Sequence, residues 1–106
     1  MISTHVLDAA VGRPAVGVAV RLESAEGTEL GTGITDTDGR IAELAPGDLG
    51  PGSYRLVFDT GGYFFSRGQE SFYPQVIISF GPVQPDQHSH VPLLLSPYAY
   101  STYRGS

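Results

Sequence analysis

The stretch VGVAVRLE, residues 16–23, decides how the chain is read. In an extended backbone Val16, Val18, Val20 and Leu22 fall on one side, and Gly17, Ala19, Arg21 and Glu23 on the other. A period of two with one apolar side predicts a β-strand that buries a single face. TELGTGITD, residues 28–36, reads as its partner through a turn near Glu26-Gly27. The Asp38-Gly39 pair inside TDTDGR, residues 35–40, favours a tight hairpin. GSYRLVFDT, residues 52–60, repeats the alternation with Tyr54, Leu56 and Phe58 inward. YPQVIISFG, HVPLLLSP and YAYSTYR read as three further strands.

Fourteen glycines and eight prolines break the apolar stretches into short pieces, which favours strands and turns over helices. A short helix is predicted only within YFFSRGQESF, over Phe65 to Glu70, with Gly68 weakening it. Seven or eight closely spaced strands with one short helix predict an all-β antiparallel β-sandwich. At 106 residues, one domain spanning positions 1–106 is expected.

Composition narrows the function. With 41% apolar and 16% charged residues the chain is too apolar for disorder, and its apolar stretches are too interrupted for a membrane span. A net charge of −5, with six cationic side chains, all arginine, argues against nucleic acid as partner. Without cysteine there is neither a disulfide nor a thiolate metal site. Met1 is followed at once by ISTHVLD, with no leader-like segment, so a cytoplasmic protein is expected.

The chemistry rests on few residues. His88 and His90 lie two apart on a predicted strand and share a face, and His5 belongs to the first strand. Three imidazoles suit a zinc site, a metal-free acid/base pair, or ordinary hydrogen bonding at a strand edge. Arg40 after the turn is either solvated or a fork of donors for a planar, carbonyl-rich ligand. Asp8 is expected to cap a turn, and Pro92 to mark an edge or a bulge in its strand. Tyr98, Tyr100 and Tyr103 fit a core or an interface.

THVLD, TDTDGR, YRLVFDTGGYF, ESFYP, HSHVPLLLSP and the terminal YRGS together resemble the transthyretin-related 5-hydroxyisourate hydrolases, in order and over essentially the whole chain. TDTDGR followed by GPGSYRLVF also resembles non-catalytic prealbumin-like modules, whereas HVPLLLSP followed by YRGS is far more specific. The hormone carrier transthyretin is similar around LLSPYAYST but lacks the histidine pair and the YRGS ending.

The resemblance implies a transthyretin (prealbumin)-like sandwich that opens 5-hydroxyisourate with water, in urate degradation, without metal or other cofactor. It implies His5, Arg40, His90 and Ser106 as catalytic residues. Tyr103, Arg104 and Gly105 join His5 and Arg40 in binding substrate. His88 is assigned to support, and Ser89 stands where the family commonly has tyrosine. A homotetramer, a dimer of dimers with sites at the interface, is also implied. A transthyretin-like ligand carrier and a non-catalytic prealbumin-like module are the alternative readings.

Overall fold

The computed structural model describes residues 1–45 and 49–106. The chain opens with β1 (Ile2–Asp8), whose alternation sends Ile2, Val6 and Asp8 inward, each at most 1% exposed, and turns His5 and Leu7 outward. The pair β2 (Arg13–Pro14) folds back against the end of β1. Then come β3 (Ala19–Ser24), β4 (Glu29–Ile34) and the two-residue β5 (Arg40–Ile41). After β6 (Gly52–Phe58) a single helix, α1 (Thr60–Ser66), leads to β7 (Val76–Val83), β8 (Ser89–Ser96) and β9 (Ala99–Thr102). Seven of these strands have four or more residues, and β2 and β5 add two short ones among the described residues.

The strands form two sheets, one ordered β2-β1-β8-β9 with β5 also on β1, the other β4-β3-β6-β7. Between them lie Val6, Leu93 and Leu95 from the first sheet and Leu22, Leu56 and Phe58 from the second, closed at one side by Phe64 of α1. Burying this apolar face is what holds two sheets together, at about 25 cal/mol per Å² removed from water. The β-sandwich with one short helix is therefore as expected. One pairing departs from the antiparallel scheme: β1 and β8 run parallel, with Ser3 opposite His90 and His5 opposite Pro92.

Three local expectations change. The strand at residues 16–23 begins only at Ala19, and Val16 stays 47% exposed. The Thr35 hydroxyl donates to the Ala15 carbonyl and accepts from Val18 N, closing a turn around Val16-Gly17. The Asp38-Gly39 turn is tight, with Gly39 at φ 75°, but it does not join neighbours of one sheet. It carries the chain from β4 across to β5, which pairs with β1. The helix lies five residues earlier than expected, starting after Asp59, whose carboxylate accepts from Gly62 N.

Pro92 also sits differently from its expected edge position, since β8 runs between β1 and β9. The pairing with β9 ends at Leu93–Thr102, and beyond it the Thr102 hydroxyl donates to the Pro92 carbonyl. A residue without an N–H is tolerated where the ladder has stopped.

Candidate active site

Strand pairing assembles the site. Ser3 and His5 lie two apart on β1, and residues two apart share a face. Arg40 of β5 lies opposite His5, and His90 of β8 lies opposite Ser3. Directly opposite residues also share a face. Ser3, His5, Arg40 and His90 thus stand on one outward face, though they span 87 positions of sequence. Ser89 lies opposite the buried Ile2 and so takes the other face.

His88, just before β8, comes to the same place through a hydroxyl. Ser3 Oγ is 2.6 Å from His88 Nε2 and 2.7 Å from His90 Nδ1, and Ser3 is only 6% exposed. The two rings are 6.3 Å apart, centre to centre, and tilted edge to face.

The end of the chain folds onto this pair. Gly105 N donates to the His90 carbonyl at 2.9 Å. A side chain at position 105 would bring its Cβ within 2.5 Å of His90 Cδ2, so only glycine allows this approach. A cleft of about 850 Å³ opens here, between β7 on one side and His88, His90 and residues 102–106 on the other. Tyr103, Arg104, Gly105 and Ser106 all line it. His5 and Arg40 lie outside its lining, on the adjoining part of the same sheet face.

Electrostatics favour a neutral base. Burial pushes the His90 imidazole below its ordinary value of 6.5, and the Arg40 guanidinium, His88 and His5 push the same way. Arg40 opens β5 directly after the turn that begins at Asp36. Asp36, at the other end of its turn, accepts from the backbone N–H groups of Arg40 and Asp38, which hold its carboxyl below the ordinary range. Among the described residues the ion pairs are Arg21–Glu23 and Arg55–Glu23, and Arg40 is in neither.

Of the histidine readings, ordinary hydrogen bonding describes His88 and His90 in part, since both rings bond Ser3 Oγ and His90 lies beyond the end of the β8–β9 ladder. Among the described residues no three His, Cys, Asp or Glu side chains converge as a metal-binding group. Asp8 caps a turn as expected, accepting from Ala10 N, and its other oxygen accepts from the buried Tyr63 hydroxyl at 2.8 Å. Tyr98 and Tyr100 are exposed, and Tyr100 stacks edge to face on Tyr73. Ser3 was missed from sequence, although its spacing of two from His5 placed it on the imidazole face.

Two packed sheets, β2-β1-β8-β9 and β4-β3-β6-β7, with one short helix between β6 and β7 are the transthyretin-like class of β-sandwich. The chain belongs to the HIUase/Transthyretin family, whose model matches residues 2–105. It is 50% identical to the 5-hydroxyisourate hydrolase of Mus musculus, over 99% of this chain and 94% of that protein. It is 48% identical to the one from Salmonella typhimurium, over 100% and 81%. The solved 5-hydroxyisourate hydrolase of Klebsiella pneumoniae superposes with a TM-score of 0.91 at 43% identity, covering 99% of this chain and 98% of that one. Sea bream transthyretin in complex with thyroxine superposes at 0.84 with 32% identity, over 98% and 93%.

Proposed function

We propose that this protein is a hydrolase that opens 5-hydroxyisourate with water to 2-oxo-4-hydroxy-4-carboxy-5-ureidoimidazoline, a step of urate degradation. The single observation that carries the proposal is the His90 imidazole, biased toward its neutral form near Arg40, which is in neither ion pair among the described residues, and facing a cleft closed by residues 103–106. Full-length relatives named for the same hydrolase support it.

The chemistry follows from what each group offers. His90 takes a proton from water as the oxygen attacks the ring carbonyl, and later returns it to the departing ring nitrogen. The Arg40 guanidinium faces the oxygen on which negative charge grows. His5, opposite Arg40, orients the attacking water or the substrate edge. Tyr103 and Arg104 hold the flat polar ring, Gly105 keeps the terminal segment against His90, and the Ser106 hydroxyl supplies a further hydrogen bond. No cofactor enters this scheme.

Residues 1–106 act in this proposal as one catalytic unit, working as a cytoplasmic homotetramer, a dimer of dimers with sites at the interface. Two features favour self-association: β7 and β9 are edge strands, and β9 is exposed along its whole length. No helix among the described residues is long and apolar enough to cross a membrane.

The test follows the ultraviolet absorbance of 5-hydroxyisourate generated in place by urate oxidase. The protein is expected to speed its decay well beyond the spontaneous rate, with or without a chelator. A folded protein that leaves the spontaneous rate unchanged overturns the proposal and leaves a ligand carrier. Loss of the acceleration on chelation overturns the metal-free scheme.

A further inference from the structure

We propose that Ser3 is a positioning residue, whose hydroxyl bridges His88 and His90 and holds His90 as the Nδ1–H tautomer with its Nε2 lone pair free for the cleft. The inference deepens the hydrolase reading and rests on it for the identity of the reaction.

A serine hydroxyl has one hydrogen to give and lone pairs to accept with. Its oxygen is within 2.7 Å of a ring nitrogen on each histidine, so it can donate to at most one of them and must accept an N–H from at least one. At least one of the two rings therefore carries a hydrogen on the nitrogen that faces Ser3. If the neutral His90 ring donates from Nδ1, its Nε2 is bare, whether or not the Ser3 hydrogen goes to His88 Nε2. If the chain of bonds runs the other way, His90 carries its proton on Nε2 and offers no lone pair there.

Only the first arrangement suits a base. The Cδ2 edge of His90, next to Nε2 in the ring, packs against Gly105 in the terminal segment that lines the cleft. The bare nitrogen then lies on the cleft side, and the nitrogen held by Ser3 lies on the sheet side. Water competes poorly for a hydroxyl that is 6% exposed. The backbone holds it as well, since Ile2 pairs with Ser89 and Thr4 with Val91 on either side of the Ser3–His90 pair. Fixing a tautomer through the nitrogen that does not react is a known way to prepare an imidazole for proton transfer.

The experiment compares the full chain with Ser3→Ala and Ser3→Thr, reading the imidazole nitrogens of His90 by long-range 1H–15N NMR beside the kinetics. The expected wild-type signature is a protonated Nδ1 and a bare Nε2. Ser3→Ala shifts His90 toward a mixture of tautomers and lowers kcat by about 10-fold to 10²-fold, with KM nearly unchanged. Ser3→Thr, which keeps the hydroxyl, restores both. A wild-type His90 protonated on Nε2 overturns the inference, whatever the variants do. So does a folded Ser3→Ala protein with unaltered tautomer and turnover. A wild-type protein with the expected signature but no hydrolysis overturns the reaction and leaves the bridge standing.

Discussion

The outer faces of the two sheets carry similar residues and arrive at opposite chemistry. On β3 and β6, Glu23 accepts from Arg21 at 2.7 Å and from Arg55 at 2.9 Å, so its charge is answered on the spot. The bond from Arg21 contributes most to holding that carboxyl below its ordinary range, burial works against it, and Arg55 adds to it. A second cleft lies on this sheet, about 620 Å³, lined by Arg21, Glu29, Thr32, Asp59 and Gln75, without an imidazole. On β1, β5 and β8, Arg40 stands opposite a histidine, and Asp36 is occupied by backbone N–H groups. An arginine answered by a carboxylate stabilises a sheet. Arg40, in neither ion pair among the described residues, stands near an imidazole, His90, that burial biases toward its neutral form, and is placed to meet a substrate's charge.

The largest effects should separate these faces. His90→Asn is expected to lower kcat by about 10²–10⁴-fold and Arg40→Ala by roughly 10²–10³-fold, with the fold retained. Glu23→Gln, on the opposite sheet, should leave turnover within about twofold, since Glu23 bonds Arg21 and Arg55 and does not itself line the cleft. The decay of 5-hydroxyisourate with each variant provides the measurement. Near-normal turnover in either site variant removes that residue from the scheme. A large loss from Glu23→Gln would break the contrast between the faces.

A smaller effect sharpens the same contrast within the cleft. Gly105→Ala forces its new methyl against His90 Cδ2, so either the ring or the terminal segment must shift. A displacement of this kind is expected to lower kcat by roughly 10-fold to 10²-fold, with little change in thermal unfolding because the segment is exposed. Turnover equal to wild type would mean that residues 103–106 do not depend on their contact with His90.

Much of this arrangement was legible in the residues, for local reasons. Alternation placed Val18, Val20 and Leu22, and likewise Leu56 and Phe58, in the core. It failed at Val16, where a buried threonine 19 positions away closes a turn that no local pattern announces. The helix was placed too late because glycine disfavours helix interiors, and two glycines open this one. Gly61 is needed there: a Cβ would lie 2.7 Å from the Pro74 carbonyl oxygen.

His5, His88, His90 and Arg40 stood out by residue type and position, their roles and the part of Arg104, Gly105 and Ser106 came from the family resemblance, and the juxtaposition came from nothing local. His5 meets the face of His90 only because β1 and β8 pair in parallel across more than 80 positions. Arg40 reaches His5 only because its turn crosses between sheets. Ser3 looked like an ordinary strand residue until two ring nitrogens were found on its hydroxyl.

The smallest expected effect on turnover comes from the buried polar pair at the far end of β1. Asp8 is 1% exposed, and the Tyr63 hydroxyl of α1 donates to it. Burial, first, and then the bond to Asp8 push the Tyr63 phenol up to about 12, so it remains a donor at any pH the protein meets. The bond ties the helix to the first sheet. Tyr63→Phe keeps the ring packed on Phe64 but leaves a buried carboxylate with Ala10 N as its remaining partner. The cost should be about 1–3 kcal/mol of stability, read as a fall in Tm of roughly 5 °C or more. Turnover at 25 °C should hardly move, because Asp8 lies at the opposite end of β1 from Ser3. Stability lost with turnover intact would identify one strand serving two purposes, holding the helix at one end and the imidazoles at the other. Lost turnover in a stable Tyr63→Phe protein would mean that the two ends are coupled and that the contrast belongs to the whole sheet.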